Sequence, residues 1–179
     1  MARIHIFGAS GAGTTTLAGA LASALGCPHF DSDNYFWLPT DPPFQEFREV
    51  KARQELLVRD LTSHDAWVLS GSLCGWGDVA VPLIDLAVYL SIPQDVRMAR
   101  LEAREIERYG EEVARPDGVW SESSREFLDG AMRYEDGSLT FRSRALHEAW
   151  MANLQCRILR IEGDTSTDER VARVISEIG

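Results

Sequence analysis

Gly8-Ala9-Ser10-Gly11-Ala12-Gly13-Thr14-Thr15 is the stretch on which the reading of this 179-residue chain turns. Ahead of it, Ile4, Ile6 and Phe7 form a short apolar run that ends at a glycine, the pattern of a buried strand. Behind it, Leu17, Ala18, Leu21, Ala22 and Leu25 recur at helical spacing, and Gly26 followed by Pro28 supplies a stop. In a glycine loop that closes a strand and opens a helix, backbone N–H groups can curl around a phosphate, aided by the partial positive charge of the helix start. The spacing is that of G-x-x-x-x-G-K-[ST], with Thr14 where the lysine belongs and Thr15 keeping the Mg²⁺-binding hydroxyl. The absent lysine removes a charge worth about 4 kcal/mol at about 4 Å, for an effective dielectric near 20. Another group must supply that charge, or transfer is weak. A dinucleotide fingerprint fits poorly, because Ser10 interrupts it and Gly11-Ala12-Gly13 lacks a third glycine. A generic glycine-rich turn is the plain alternative.

The alternation continues along the chain. His29 to Asp33 reads as a second short strand, Pro39 to Pro43 breaks regular structure, and Phe47, Val50, Gln54, Leu57 and Leu61 outline a helix. Trp67 to Leu69 and Asp85 to Leu90 are the next strands, and Pro93 opens a helix running to about Tyr109. Gly110 to Gly118 interrupts it, Ser123 with Glu126 predicts a capping-box helix start, and a further helix covers about Leu139 to Leu154. Arg157 to Ile161 is a fifth strand, and Ser166 with Glu169 caps a last helix carrying Val171, Val174, Ile175 and Ile178 on one side. Short, near-continuously apolar strands alternating with helices predict a parallel sheet covered on both faces. The expected organisation is one α/β domain over 1–179, with a polar insertion at about 105–137.

Charge and composition exclude several classes. The chain has 28 acidic and 18 basic side chains, a formal net charge of −10. Its field repels phosphate backbones and anionic lipid, so neither a long nucleic acid nor a membrane is an expected partner. No run approaches the ~18 apolar residues of a membrane span. The glycines and threonines of the loop break any signal-like stretch at the N-terminus. Cys27, Cys74 and Cys156 are an odd number without metal-ligand spacing, which suits a reducing compartment; the expected location is the cytoplasm. Lysine occurs once, at Lys51, so the remaining basic residues are arginines. Four of them, Arg97, Arg100, Arg104 and Arg108, fall within an arc of about 80° on one helical face. Such a stripe in an acidic protein suggests an anion opposite it, against the alternative of a solvated face in an arginine-rich chain.

The loop and its surroundings resemble the P-loop small-molecule and nucleotide kinases, both adenylate-kinase-like and shikimate-kinase-like. Phe30-Asp31-Ser32-Asp33 resembles the D-x-D at the end of the second strand in shikimate-kinase-like enzymes. The resemblance implies that Asp31 helps hold Mg²⁺ through water and that Asp33 addresses the acceptor hydroxyl. Turn-forming aspartates in a solvated loop are the alternative. Leu69-Ser70-Gly71-Ser72 resembles the small-residue turn where acceptors approach the backbone, and Asn34-Tyr35-Phe36-Trp37 is either an aromatic wall of that pocket or core. Arg100 and Arg104 look like the lid arginines of an L-x-x-R-x-x-x-R region, with Arg115 a further lid residue. The second half, with Met132-Arg133-Tyr134-Glu135 and Arg142-Ser143-Arg144-Ala145-Leu146-His147, resembles small bacterial adenylate-kinase-related proteins, some labelled topology-modulation proteins, that share a lysine-free loop. There Arg142 and Arg144 could donate forked hydrogen bonds to a phosphate and partly replace the lysine. His147 reads as a surface or structural histidine rather than a base.

The resemblance implies a P-loop NTPase-type three-layer α/β/α fold with a five-stranded parallel sheet and a helical lid insertion. It further implies ATP and Mg²⁺ as cofactors on residues 8–15, and phosphoryl transfer to a small-molecule or nucleotide acceptor. The competing expectation is a non-catalytic nucleotide-binding module that regulates a protein partner, a reading the missing lysine favours.

Overall fold

Hydrophobic alternation in the first strand sets the architecture. In the computed structural model, which describes residues 2–41, 43–110, 122–137 and 142–179, β1 (Arg3–Gly8) sends Ile4 and Ile6 to one face of the sheet and His5 and Phe7 to the other. On the first face lie α1 (Thr14–Leu25) and α7 (Thr167–Ile178), which bury Leu17, Leu21 and Val174 against Ile4, Ile6, Val68, Val88 and Leu90. The second face carries α3 (Val50–Thr62) and α6 (Arg144–Met151), whose Leu57, Leu61, Trp150 and Met151 cover Phe7, Trp67, Leu69 and Tyr89. Burial on both faces explains why the central strands read as unbroken apolar runs.

The five strands are all parallel, in the order β2-β3-β1-β4-β5, with β2 at His29–Asp31, β3 at Trp67–Ser70, β4 at Leu86–Ser91 and β5 at Arg157–Glu162. The connection leaving β1 runs towards β2, whereas that leaving β3 crosses back to β4. Ligands of open α/β sheets bind at such a reversal, outside the carboxyl ends of the strands. The glycine loop and Ser70-Gly71-Ser72 both end there.

Local chemistry moved several boundaries. The expected strand through Asp33 stops at Asp31, because the Asp31 carboxylate accepts the Asp33 N–H and caps a short helix, α2 (Ser32–Phe36). Asp33 therefore sits in a helix's first turn. A 3₁₀ turn at Asp78–Leu83, with Pro82 inside, was not anticipated. The arginine-bearing helix α4 runs Gln94–Tyr109, and α5 (Glu122–Met132) begins one residue ahead of the expected Ser123 cap. The last capping box, Ser166 with Glu169, forms as expected. The helix anticipated over Leu139 to Leu154 is the shorter α6, because the Ser143 hydroxyl accepts the Leu146 N–H and caps it there. Residues 138–141, and Arg115 with the rest of 111–121, lie outside the described residues.

Candidate functional site

The loop from Gly8 to Gly13 is shaped by close approach and by unusual backbone angles. Gly11 and Gly13 have φ of 81° and 87°, in the left-handed region that side chains avoid. A Cβ on Gly8 would stand 2.5 Å from the Leu90 carbonyl oxygen, and one on Gly11 2.7 Å from that of Arg97. Three consecutive loop carbonyls are each held by an arginine. Arg97 donates to Ser10 at 3.1 Å, Arg100 to Gly11 at 3.5 Å and Arg170 to Ala12 at 3.2 Å. Arg97, with no exposed surface, also donates to the Ile92 carbonyl at 3.3 Å and pairs with Glu135 at 2.6 Å. With carbonyls turned outward and the first N–H groups of α1 lacking intrahelical partners, the inner side of the loop presents donors, which fits a phosphate.

Beside the loop, the ends of α1, β2 and β3 bring Thr15, Asp31 and Ser70 together. The Thr15 and Ser70 hydroxyls both donate to Asp31 Oδ2 at 3.0 Å, and His29 Nε2 lies 2.9 Å from the Ser70 oxygen. Among the described residues, no cluster of three or more His, Cys, Asp or Glu side chains is arranged to hold a metal. Mg²⁺ in phosphate sites takes only one or two carboxylates plus phosphates and water, so Thr15 with Asp31 fits that ion as a partial shell completed by a nucleotide.

Asp33 faces the same end of the sheet. Its side chain is exposed, yet partial loss of solvation pushes its carboxyl pKa up, opposed by Arg142, reinforced by Asp31 and opposed again by Arg104. Arg104 and Arg142 form no hydrogen bond or ion pair among the described residues; Arg104 lies over the Phe127 ring at 5.5 Å. Two exposed guanidiniums without carboxylate partners beside a carboxylate make a site for an anionic molecule that also presents a proton to Asp33.

The arginine stripe thus splits. Arg97 lies beneath the loop, while Arg100 pairs with Asp164 at 2.6 Å on its far side. Arg104 lies over Phe127 and is near enough to Asp33 to favour its charged form, and Arg108 pairs with Glu105 at 3.4 Å and covers Phe44. Arg144 donates to the Ser91 hydroxyl at 3.0 Å and lines a cavity of about 300 Å³ with Ala9, Tyr134, Glu135 and Glu162. A second pocket of about 300 Å³ opens beside Gly13 and Thr16, lined by Arg100, Thr165 and Arg170. The Tyr35 to Trp37 aromatics divide as well: Tyr35 is core, Phe36 lies under Arg53 at 4.1 Å, and Trp37 stacks on Phe47 at 4.6 Å.

His147 is fully buried, which corrects the expectation of a surface histidine and leaves the structural one. Its Nε2 is 3.1 Å from the Ser72 hydroxyl and its Nδ1 2.7 Å from the Tyr134 hydroxyl, which in turn is 2.8 Å from that of Tyr89. Burial first, then Arg142, pushes its pKa down to about 3. His5, equally buried, donates to the Gly71 carbonyl at 2.7 Å, and burial pushes it down to about 4. Arg170 escaped the sequence reading altogether. It lies 158 residues from the carbonyl it holds and belongs to no motif around the loop, so no local pattern could have marked it.

The fold is that of a three-layer α/β/α P-loop domain. The family profile described as an AAA domain matches residues 4–127, and the chain belongs to that family. It is 50% identical over 172 residues to the uncharacterized protein YqaC of Bacillus subtilis (strain 168), covering 96% of this chain and 94% of that one. Among solved structures it is similar to shikimate kinase from Acinetobacter baumannii in complex with shikimate, at a TM-score of 0.61 and 19% identity, covering 99% of this chain and 93% of that one. Shikimate kinase from Aquifex aeolicus is similar at a TM-score of 0.53 and 16% identity, with 98% and 95% covered. No helix among the described residues is long and apolar enough to cross a membrane.

Proposed function

We propose that the chain is an ATP-dependent phosphotransferase acting on a small anionic acceptor, either a hydroxylated acid or a nucleotide. The observation that carries this reading is the Thr15–Asp31 pair at the end of the glycine loop, two residues from Asp33, whose charged form is favoured by Arg104 and Arg142, arginines with no ion pair among the described residues. Bound MgATP would supply an electrophilic γ-phosphoryl group whose charge the metal partly neutralises. Loop residues 8–15 and the start of α1 would bind the phosphates, and Thr15 with Asp31 would hold the metal. Asp33 takes the acceptor's proton as the acceptor oxygen bonds to phosphorus and the bond to the departing ADP breaks; a raised pKa makes it the stronger base. Arg104 and Arg142 orient the acceptor's anionic group and stabilise charge on the transferring phosphoryl. The pocket by Gly13, Arg100 and Thr165 receives the nucleoside end. A shikimate-bound kinase among the fold neighbours supports a small acceptor, and the resemblance of the second half to adenylate-kinase-like proteins supports a nucleotide. The free cysteines suit the cytoplasm.

The test is thermal unfolding with MgATP, then ADP release over a panel of nucleoside monophosphates and hydroxylated acids. A raised unfolding temperature and acceptor-dependent release, lost in Asp33→Ala, are expected; no shift at millimolar MgATP overturns the reading. Thr14 in the lysine position favours a second reading, a nucleotide-binding module that regulates a protein partner. Tight MgATP binding without turnover on any acceptor would select it.

A further inference from the structure

We propose that Arg170, together with Arg100, supplies from behind the glycine loop the positive charge that the loop lacks at Thr14. The inference rests on the reading of residues 8–15 as a nucleotide site. Formal charges around the loop carbonyls settle which arginines matter. Arg97 is matched by Glu135. Arg100 and Arg170 share one carboxylate oxygen, Asp164 Oδ1, at 2.6 and 3.4 Å, which among the described residues leaves one positive charge over. Among the described residues, the pocket these two line beside Gly13 includes no carboxylate. Arg170 is only 4% exposed, so water screens it poorly.

Geometry passes that charge forward. In a trans peptide the C=O and the following N–H point in opposite directions within one plane. Arg170 on the Ala12 carbonyl therefore polarises the Gly13 N–H, and Arg97 on the Ser10 carbonyl the Gly11 N–H, strengthening donors on the phosphate side. Arg144 donates to the Ser91 hydroxyl, and among the described residues neither it nor Arg142 donates to a loop carbonyl.

Calorimetric binding of inorganic triphosphate, which has no base, isolates the loop. Arg170→Gln should bind about tenfold more weakly, about 1.4 kcal/mol, while Arg170→Lys stays within about threefold of the unaltered protein. Asp164→Asn removes the shared carboxylate and should tighten binding about threefold, a sign that a merely structural ion pair would not produce. Thr14→Lys added to Arg170→Gln should restore affinity. Unfolding midpoints of the unliganded variants separate lost fold from lost charge, and if Arg170→Gln does not fold, Asp164→Asn alone decides. Triphosphate binding unchanged in Arg170→Gln, or weakened in Asp164→Asn, overturns the inference while the nucleotide reading stands. An unaltered protein that binds neither triphosphate nor MgATP overturns both.

Discussion

One helix serves two arginine regions of opposite character. At its N-terminal end Arg97 is buried and matched, donating to the Ser10 and Ile92 carbonyls, pairing with Glu135 and lying over the Tyr134 ring. Two turns on, Arg104 is exposed, has no ion pair among the described residues, lies over the Phe127 ring, and with Arg142 favours the charged form of Asp33. The two share spacing and residue type and differ only in what surrounds them. Surroundings, rather than residue type, therefore divide holding a loop in shape from awaiting an anion.

The sharpest break in this contrast is expected in stability. Arg97→Met leaves Glu135 without its partner and the Ser10 carbonyl without its donor, and should cost about 3–5 kcal/mol in urea unfolding. Arg142→Met should stay within about 0.5 kcal/mol of the unaltered protein, since it removes an exposed side chain with no hydrogen bond or ion pair among the described residues. Equal losses in both would erase the distinction. A smaller effect is expected on turnover. Once an acceptor is found, Arg104→Met and Arg142→Met should each raise its KM by about tenfold, about 1.4 kcal/mol, with the KM for MgATP less affected.

Proton linkage refines the comparison further. The Asp33 carboxyl is raised in the folded protein, so its charge lowers stability once pH exceeds the free-aspartate value of about 3.9. Asp33→Asn should accordingly raise the unfolding temperature at pH 7, lose that gain in strong acid, and abolish turnover; a lower unfolding temperature at pH 7 would refute it. The buried histidines act with the other sign. Their folded pKa values, about 4 for His5 and about 3 for His147, lie below the unfolded value of about 6.5, so stability falls as pH drops from about 6.5 towards 3. His147→Gln should flatten part of that slope, and an unchanged slope would count against a buried neutral imidazole.

The loop was readable because its pattern is local: Gly11 and Gly13 take left-handed backbone angles, and the apolar strand and periodic helix on either side announce its class. The close approaches that also demand glycine at Gly8 and Gly11 come from the Leu90 and Arg97 carbonyls, far along the chain, and only the fold shows them. Asp33 was readable as a candidate but misplaced, because a single side-chain contact, Asp31 to the Asp33 N–H, turns strand into helix. The arginine stripe on α4 was legible from spacing, but spacing concealed that its members part company, since that depends on Asp164, Glu135 and Asp33 arriving from elsewhere.

Residue order by itself determined the alternation of strands and helices, the glycine loop and the absence of its lysine, because periodicity, turn chemistry and spacing act over a few residues. Only the tertiary structure decided which charges stand behind the loop and which face Asp33. Coulombic and hydrogen-bonding partners are chosen by distance in space, and Arg170 reaches the Ala12 carbonyl only once the sheet has brought α7 against α1.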